Sequence, residues 1–347
     1  MSRAEIKREP KSVFVTVGTQ CPFPRLVQAI DEWAGLNPHV KIFAQTAEHD
    51  AHYANIDAAA FMQPEQYMQA FADSDIIVAH AGIGTILNAL ESEKPIVILP
   101  RKAKLGEHRN EHQHATASRF RTFPGVTVID AENELGDAML RSLCNASPAA
   151  VRMATPTQLI ERIQHEINVL GKERPKMLAV ASGGGHWVQL CRLLQDLDQR
   201  RFEVVCATTR LGDDALSITS NIIRIQDGNA KDKFSLLRSG FDVLRTVLIQ
   251  RPDILLTTGA APGYFAVIAS RIIGAKTIWL DSIANANQLS LCGQKVGRFA
   301  NTWLTQWPLL ATAGGPEYAG SLIPSLTESE AKDMENSSSR SIAAWKG

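Results

Sequence analysis

Two short loops in this sequence combine glycines with a histidine, and each has the composition of a site for a phosphate or another anion. The first reads HAGIGT over residues 80–85 and lies between the apolar run Ile76–Ala79 and a helical pattern. Gly82 and Gly84 would let the backbone approach a ligand, and the N–H groups at a helix start favour an anion. Thr85 would add a hydroxyl donor. The same glycines are equally typical of a helix packed tightly on a sheet, so this loop alone does not distinguish an anion site from tight packing.

The second loop reads SGGGH over residues 182–186 and follows the apolar run Met177–Ala181. It lacks the G-x-G-x-x-G pattern of dinucleotide-binding proteins, so an NAD-dependent dehydrogenase is poorly supported. Its histidine has an unperturbed pKa near neutrality, which suits it to accept a proton at pH 7.

A polar loop at residues 106–113 follows the short strand and proline of Lys94–Pro100. In a parallel sheet this loop would lie at the same carboxyl edge as the HAGIGT loop, which is the edge where ligands bind. Four basic residues surround the expected ligand pocket, namely Arg101, Lys102, Lys104 and Arg109.

Composition limits the function classes. The 347 residues suggest two domains, and 36 basic against 36 acidic side chains argue against a nucleic-acid partner. Five scattered cysteines without C-x-x-C spacing fit a reducing cytoplasm and argue against structural zinc or a disulfide frame. Residues 1–11 are polar and no apolar run is long enough to cross a bilayer, so we expect a soluble or peripheral protein.

Apolar runs alternate with helical patterns along most of the chain, which predicts an α/β protein with doubly wound parallel sheets. The alternation pauses in a proline-containing stretch and restarts at Met177, which indicates a second domain. We therefore divide the chain into a polar amino-terminal segment (1–11), a first domain (12–144), a connector with one helix (145–175), a second domain (176–326) and a flexible tail (327–347).

One predicted helix, within residues 231–251, has an apolar stripe with basic residues beside it. The stripe recurs at helical spacing and comprises Phe234, Leu237, Phe241, Leu244 and Leu248. We expect this stripe to pack on a sheet, as amphipathic helices generally do. The alternative is that the helix lies on an anionic membrane surface.

At this point the sequence resembles glycosyltransferase family 28. The resemblance covers residues 12–140 and rests on the opening VFVTVGT (13–19), H-x-G-x-G-T (80–85), K-P-x-x-x-x-P (94–100) and N-x-H-Q (110–113). It is strongest to the donor subunit of the two-subunit enzyme that adds the second N-acetylglucosamine to dolichol-diphosphate-GlcNAc. Residues 176–320 resemble the acceptor subunit, through the SGGGH loop, Asp281-Ser282, LSLCGQK (289–295), QWP (306–308) and YAG (318–320). Here the donor half comes first, which reverses the usual order.

The resemblance implies a GT-B fold, in which two Rossmann-like domains face a cleft. It implies donor-binding residues in the first domain, which are Gly18, Thr19, His80, Gly82, Gly84, Thr85, Asn88, Arg101, Arg109, Glu111, His112 and Gln113. It implies acceptor-binding residues in the second, which are Ser182, Gly183, Gly184, Gly185, Ser282, Ser290 and Lys295. Family members often carry a carboxylate where this chain has Asn88, so Glu91 is an alternative partner for the ribose. His80 would donate to a phosphate oxygen, orient its loop, or simply be satisfied at a strand end.

Inverting transfer from a UDP-sugar needs a base for the attacking hydroxyl, and we assign this role to His186. Alternatively, His186 caps its helix or binds the acceptor diphosphate without moving a proton. Asp281 is the second catalytic candidate because it ends the strand Lys276–Leu280, and Asp253 and Asp214 are reserves. No D-x-D motif stands at a strand end, so we expect neither a metal nor another cofactor.

The segment Asp281-Ser-Ile-Ala-Asn285 resembles bacterial exopolysaccharide transferases, several of which use glucuronic acid, more than it resembles the eukaryotic acceptor subunit. Arg101 or Arg109 would pair with the glucuronate carboxylate. Alternatively, these basic residues neutralise the UDP diphosphate or face solvent. These features predict transfer of glucuronic acid from a UDP-sugar to a polyprenyl-diphosphate-linked saccharide, by a cytoplasmic protein on the inner face of the plasma membrane. The alternatives are a UDP-GlcNAc transferase to lipid-linked GlcNAc, a UDP-sugar epimerase, and a non-catalytic UDP-sugar-binding protein.

Overall fold

The computed structural model describes residues 11–19, 21–108, 112–144, 155–209, 219, 221–228 and 233–323. They form two compact units, and the chain passes from one to the other between residues 151 and 152. The predicted polar amino-terminal segment up to residue 10 and the predicted tail lie outside the described residues.

The first unit is a parallel sheet with helices between its strands. Its six strands are β1 (Ser12–Thr16), β2 (Lys41–Gln45), β3 (Asp57–Ala59), β4 (Ile76–His80), β5 (Ile96–Leu99) and β6 (Val126–Val128). Its helices are α1 (Pro24–Leu36), α2 (Pro64–Asp73), α3 (Ile83–Glu91), α4 (His112–Phe120) and α5 (Leu135–Cys144). The spatial order of the strands is β3-β2-β1-β4-β5-β6, with every pair parallel.

The apolar runs of the sequence form the centre of this sheet. Strand β5 is buried throughout, and only His80 at the end of β4 is partly exposed. Helix α1 buries the face that carries Leu26, Val27 and Ile30 against the sheet. Continuous apolar strands covered on both faces are what an all-parallel sheet requires.

The second unit repeats this arrangement with one more strand. Its strands are β7 (Lys176–Ala181), β8 (Glu203–Thr208), β9 (Ile222–Arg224), β10 (Ile254–Thr257), β11 (Lys276–Leu280), β12 (Thr302–Thr305) and β13 (Glu317–Tyr318). Its helices are α6 (Thr157–Val169), α7 (Gly185–Asp196), α8 (Lys233–Gln250), α9 (Ala260–Ile272) and α10 (Leu291–Val296). The strand order is β13-β12-β11-β10-β7-β8-β9, again parallel throughout.

Read outward from its first strand, each sheet has the same topology. In each sheet, the second and third strands are added on one side of the first strand, and the later strands are added on its other side. This is the Rossmann order. The predicted doubly wound parallel sheets are therefore confirmed.

Helix α6 lies within the predicted connector, but it packs into the second unit. Glu166 on this helix accepts a hydrogen bond from Thr302 Oγ1 at 2.8 Å and pairs with Lys276 Nζ at 3.2 Å. Leu159 and Ile163 on the same helix are fully buried. The first ten residues of the predicted connector, 145–154, lie outside the described residues.

Helix α8 differs from its prediction. The stripe expected to pack on the sheet faces solvent, with Phe234 78%, Leu237 72% and Phe241 70% exposed. The packed face carries smaller and partly polar residues instead, namely Ser239, Val243, Thr246 and Val247. The preference for packing was therefore wrong. Among the described helices, none is both long and apolar enough to cross a membrane.

Candidate functional site

The first candidate site lies where the first sheet reverses its winding. Strands β1 and β4 are neighbours, and the chain continues from them to opposite sides of the sheet. Ligands of doubly wound sheets bind outside the carboxyl ends of the strands at such a switch point. Gly18 follows β1 and Gly82 follows β4, so the structure brings these two predicted donor residues to one place.

The imidazole of His80 fills the space between these two glycines. A Cβ at Gly82 would lie 2.2 Å from His80 Nε2, and one at Gly18 would lie 2.8 Å from His80 Cε1. Gly18 also has a φ of 74°, which disfavours other residues. Both glycines are therefore needed to admit the ring.

Burial is the main cause that lowers the pKa of His80 to about 3; the nearby charge of Arg101 acts in the same direction, and a backbone interaction with Thr16 partly offsets them. The ring is thus neutral at physiological pH. Its Nδ1 is buried and makes no hydrogen bond of ordinary geometry to the described residues. A neutral imidazole can still donate one hydrogen bond to a phosphate oxygen without adding a charge.

Helix α3 presents its first turn to the same point. The helix begins at Ile83, within the HAGIGT loop itself, because the Ile86 N–H already donates to the Gly82 carbonyl. The N–H groups of Ile83, Gly84 and Thr85 therefore precede the first intrahelical hydrogen bond, and Gly82 provides no side-chain cap. The first turn of a helix commonly binds an anion through such N–H groups.

Two buried polar residues that the sequence analysis missed hold the loop at Gly18. Gln45 is 2% exposed, and its Nε2 donates to the carbonyls of Gly18 at 3.1 Å and Ala60 at 3.0 Å. Thr16 Oγ1 donates to Gln45 Oε1 at 2.9 Å. Each of the apolar strands β1 and β2 ends in a polar residue, and this pattern could have identified Thr16 and Gln45 from the sequence.

Arg101 is a structural residue rather than a ligand contact. Its side chain is 1% exposed, and its guanidinium donates to four carbonyls, those of Val17, Cys21, Pro22 and Glu107. The group also lies 4.5 Å from the centre of the Phe23 ring. The predicted contact of Arg101 with a donor carboxylate is corrected accordingly, because its donors are used to fasten the loop after β1.

A second arginine ties the same loop region to the segment after β5. Arg25 binds the Glu107 carboxylate with two nitrogens, at 2.6 and 2.9 Å, and Glu132 with a third, at 2.9 Å. Glu107 in turn accepts from the Lys102 N–H at 2.8 Å. These bonds fix the two loops at the carboxyl edge of β1 and β5.

The remaining donor-binding predictions have mixed outcomes. Gln113 is buried, and its Oε1 accepts from the Arg101 N–H at 3.1 Å, so it too supports the loop. Asn88 is half-buried on α3, while Glu91 is exposed at the end of that helix, and Thr19 is exposed after Gly18. Their contacts with the donor stay predictions. Arg109 and Glu111 lie outside the described residues, and for His112 the structure describes only its place in α4.

The second candidate site lies at the switch point of the second sheet, between β7 and β10. The predicted acceptor loop connects β7 to α7, which begins at Gly185, within the SGGGH loop. Gly184 is the N-cap residue with a φ of 84°, and its Cβ position faces open space. Gly183 donates its N–H to Thr209 Oγ1 at 2.9 Å, and Ser182 is half-buried beside it.

His186 occupies the first turn of α7 and is bound to the strand next to it. Its Nδ1 lies 2.8 Å from the Thr258 carbonyl oxygen, and Thr258 Oγ1 donates back to the His186 carbonyl at 2.7 Å. A carbonyl only accepts, so Nδ1 carries the hydrogen and Nε2 has the lone pair. Burial lowers the pKa of His186 below its usual value, which keeps the ring neutral and Nε2 basic at pH 7.

The loop that holds His186 was not singled out in the sequence. It reads TTGAAPG over residues 257–263, with Gly259 at a φ of 117° and Ala260 at 63°. A left-handed alanine is a strained conformation of a kind that clusters at functional sites. The signal was a glycine two residues after the apolar strand β10, which is the same kind of signal that marked the other two loops.

Asp281 ends β11, as predicted, but its carboxylate is 1% exposed and hydrogen-bonded. It accepts from Ser290 Oγ at 2.7 Å, from the Ser290 N–H at 3.0 Å and from Asn285 Nδ2 at 3.4 Å. Burial raises its pKa. These contacts favour a positioning role over proton transfer. Ser290 caps α10 by accepting from the Gly293 N–H, and Lys295 is exposed in the last turn of that helix.

Ser282 is part of a buried amide network that the sequence analysis missed. Gln189 on α7 donates to Ser282 Oγ at 2.9 Å and accepts from Gln306 Nε2 at 3.0 Å. Gln306 also donates to the Asp281 carbonyl at 3.0 Å. Since Ser282 is 2% exposed, its predicted contact with the acceptor is revised to a structural one.

Of the two reserve acids, neither is placed beside His186 by the structure. Asp253 precedes β10, at the amino edge of the sheet, where it binds Lys172 Nζ and the Lys176 N–H. It is therefore wrong as a catalytic candidate, because the candidate site is at the opposite edge. Asp214 lies outside the described residues.

Within the described ranges, no group of three or more histidine, cysteine or acidic side chains is arranged to hold a metal ion. The prediction that the reaction needs neither metal nor cofactor stays a prediction.

Comparisons with known proteins find similarity to glycosyltransferases. Residues 12–123 match the model of the glycosyltransferase family 28 C-terminal domain. The chain is 28% identical over 170 residues to the UDP-N-acetylglucosamine transferase subunit ALG13 of Eremothecium gossypii, covering 38% of this chain and 82% of that protein. It is 24% identical over 176 residues to the subunit ALG14 of Yarrowia lipolytica, covering 43% of this chain and 82% of that protein.

Among solved structures, MurG of Acinetobacter baumannii is similar at 17% identity with a TM-score of 0.36, over 44% of this chain and 47% of that one. Two Rossmann-like units in one chain, the first of them matching a glycosyltransferase domain, constitute a GT-B fold. The predicted fold class is confirmed.

Proposed function

We propose that this chain is an inverting glycosyltransferase that moves glucuronic acid from UDP-glucuronate to a polyprenyl-diphosphate-linked saccharide in exopolysaccharide biosynthesis. At the coarser level, the chain is a UDP-sugar glycosyltransferase of the family 28 type that acts on a lipid-linked sugar. The identity of the sugar, the use of the product and the roles of single residues are the parts that we propose.

The observation that carries the proposal is the geometry of His186. Its Nδ1 hydrogen is held on the Thr258 carbonyl, so Nε2 is left with its lone pair, and its lowered pKa keeps it unprotonated at pH 7. A general base needs this state before the reaction. A histidine that only caps its helix would not need a fixed tautomer.

In the proposed reaction, the attacking acceptor hydroxyl gives its proton to His186 Nε2. The oxygen forms a bond to the anomeric carbon of the donor as the bond from that carbon to the UDP oxygen breaks, and UDP leaves with the electron pair. The first-turn N–H groups of α3 stabilise the charge that develops on the diphosphate, with neutral His80 as a further donor. Asp281 orients the segment at Ser290 that we assign to the acceptor.

The sugar assignment rests on the likeness of Asp281-Ser-Ile-Ala-Asn285 to exopolysaccharide transferases, since Arg101 is committed to four carbonyls. N-acetylglucosamine is the second candidate, and the similarity to ALG13 and ALG14 favours it. An acceptor with a polyprenyl tail resides in a bilayer, so we propose that the protein works at the inner face of the plasma membrane.

The first test is a transfer assay on the purified chain with polyprenyl-diphosphate-glucose as the acceptor. UDP-glucuronate, UDP-GlcNAc and UDP-glucose are offered separately, and a GlcNAc-terminated lipid is the second acceptor. Product from UDP-glucuronate alone supports the full proposal. Product from UDP-GlcNAc on the GlcNAc lipid would instead identify N-acetylglucosamine as the transferred sugar. Release of a free epimerised UDP-sugar, or binding of UDP-sugars without turnover on any acceptor, would contradict the transferase mechanism.

A further inference from the structure

His186 is held by one residue, Thr258, through two hydrogen bonds that run in opposite directions. The ring nitrogen Nδ1 lies 2.8 Å from the Thr258 carbonyl oxygen, and Thr258 Oγ1 donates to the His186 carbonyl at 2.7 Å. One bond uses the imidazole and the other uses the backbone of the same histidine, so together they fix both its position and the rotation of its ring. The tautomer of His186 therefore depends on where the Thr258 carbonyl points.

The turn that carries Thr258 is very short. Strand β10 ends at Thr257 and α9 begins at Ala260, so only Thr258 and Gly259 connect them. Strand β10 pairs with β7, so this turn lies beside the SGGGH loop at the carboxyl edge of the sheet. A connection of two residues between a central strand and a packed helix leaves the Thr258 peptide little freedom to rotate.

Side-chain contacts within the turn restrict it further. Thr257 Oγ1 accepts from the Gly259 N–H at 3.1 Å. A Cβ at Gly263 would lie 2.2 Å from Thr257 Oγ1, so this glycine leaves the room that the hydroxyl occupies. Gly259 has a φ of 117°, and a Cβ there would lie 3.2 Å from His186 Cε1. The turn is thus shaped both by its own hydroxyl contact and by the imidazole that it receives.

The next residue, Ala260, shows that these contacts determine the backbone of the turn. Its φ is 63°, a conformation that residues other than glycine rarely adopt. Such a conformation persists where the surrounding structure imposes it. The direction of the Thr258 carbonyl is therefore set by its surroundings and not by local preference.

Thr258 can affect the reaction only through His186. Its side chain is completely buried, whereas His186 is half-buried, so the threonine is not available to a substrate. Burial lowers the pKa of His186, and the hydrogen bond to the Thr258 carbonyl acts in the opposite direction. The bond that keeps a hydrogen on Nδ1 therefore also stabilises the ring after Nε2 has taken up a proton.

We propose that Thr258 is the positioning residue of His186. Its hydroxyl and the two-residue turn hold its carbonyl on Nδ1, so the ring stays in the tautomer that leaves the Nε2 lone pair for the acceptor hydroxyl. The role in transfer rests on the proposed function, but the tautomer can be observed without donor or acceptor. The two proposals can therefore fail separately.

The first measurement is the tautomer of His186 in the full chain at pH 7. Two-bond correlations between the ring hydrogens and the ring nitrogens of ¹⁵N-labelled protein report it, and the signals lost in His186→Ala identify this ring. The unchanged chain should show Nδ1 protonated and Nε2 unprotonated. Thr258→Val keeps the shape of the side chain but removes the hydroxyl, so the Nε2-protonated form should become a major species. Thr258→Ser keeps a hydroxyl and should restore the unchanged signals.

The same variants are then compared in single-turnover transfer. Thr258→Val should react about fivefold to tenfold more slowly with unchanged affinity for UDP, because most rings would present a hydrogen where the reaction needs a lone pair. Thr258→Ser should react at the unchanged rate.

Thr246→Val is the matched control. Thr246 Oγ1 also donates to a backbone carbonyl of the second unit, that of Asp242, at 2.8 Å. This variant should change neither the tautomer of His186 nor the rate. Far-UV circular dichroism checks the fold of each variant. Thr257→Val, which removes the acceptor for the Gly259 N–H, replaces Thr258→Val if that variant unfolds.

A Thr258→Val variant in which His186 is still protonated only on Nδ1 would overturn the proposal. So would a changed tautomer with an unchanged rate of transfer, because the tautomer would then not matter to the reaction. A changed tautomer and a slower rate, both restored in Thr258→Ser, support it. If the unchanged chain transfers no sugar, the proposed function fails, and the tautomers of the variants still decide whether Thr258 holds His186.

Discussion

The two switch points of this protein share a topology and a central histidine, but the two histidines are held differently. His80 fills a space between two glycines, with Nδ1 lacking a hydrogen bond and a pKa of about 3. His186 has Nδ1 fixed on a carbonyl and a pKa that burial lowers. The same position in a sheet therefore serves one ring that resists protonation and another whose Nε2 is directed to accept a proton.

The polar support around each histidine differs as well. In the first unit, arginines fasten the loops by binding carbonyls and a carboxylate, as Arg101 and Arg25 do. In the second unit, the amides of Gln189 and Gln306 do the same work without charge. Positive charge near a site favours a diphosphate, whereas the Asp281 carboxylate near His186 favours a protonated ring and partly offsets the lowering of its pKa by burial. The difference supports donor binding in the first unit and deprotonation in the second.

The sharpest test of this division is His186→Ala. It should lower kcat by about 10²-fold to 10⁴-fold, because it removes the general base, and leave the affinity for UDP unchanged. The rate comes from a single-turnover transfer assay and the affinity from calorimetry. His165→Ala, which alters an exposed histidine on α6, is the matched control. A His186→Ala rate within threefold of the control would contradict the assignment of His186 as the general base. A large loss of UDP affinity would contradict the division of donor binding and deprotonation between the two units.

Arg101→Met should produce the next largest effect. It leaves four carbonyls, one buried and three partly buried, without their donor, so we expect the free energy of unfolding to fall by about 3 kcal/mol. Chemical denaturation followed by fluorescence measures the change, with the exposed Lys104→Met as control. A stable Arg101→Met variant that has lost only its preference for UDP-glucuronate over UDP-glucose would restore Arg101 as a carboxylate reader.

Gly82→Ala tests the packing of His80 between its glycines. The added Cβ would lie 2.2 Å from His80 Nε2, so the ring must move, at a cost of about 2 kcal/mol in stability and roughly tenfold in UDP affinity. Thermal unfolding and UDP titration measure the two effects. Gly314→Ala is the control, since nothing lies within 4 Å of its Cβ position. Unchanged UDP binding in Gly82→Ala would separate His80 from the donor site.

The smallest effect is a pH dependence that belongs to His80. The pKa of His80 is about 3 when folded, against 6.5 for the free group, so between these values only the unfolded chain binds the proton. Stability from this source is complete above pH 6.5 and falls as the pH is lowered. Between pH 6.5 and 5.5 the unchanged chain should lose about 1 kcal/mol more free energy of unfolding than His80→Asn. Parallel urea titrations that show no difference would mean that His80 is protonated in the folded protein.

Much of the fold could be predicted because apolar strands and glycine loops leave local patterns. Strand β11 was predicted to the residue, β5 lies within the predicted segment Lys94–Pro100, and both glycine-histidine loops lie at the edge expected for ligands. Short edge strands such as β3 and β13 were missed, since two or three residues carry no periodicity.

The roles of buried polar residues were harder to predict from sequence. Arg101 and Ser282 were assigned to ligands because they stand beside ligand loops, but both side chains bond to their own chain. The stripe of α8 has the spacing of a packed face, and its exposure depends on the smaller residues opposite it that pack instead. In each case the deciding partner is distant in sequence, as Thr258 is from His186.

Each sheet is built from one continuous part of the chain, and this affects how the two sheets fold during synthesis. All strands of the first sheet end by Val128, and those of the second begin at Lys176. At a synthesis rate of about 5–20 residues per second, the intervening residues give the ribosome roughly 2–10 s between the last strand of one sheet and the first strand of the next. The first unit can therefore complete its strand pairing before any rival edge emerges. The order of synthesis thus helps two sheets of the same winding to avoid exchanging strands.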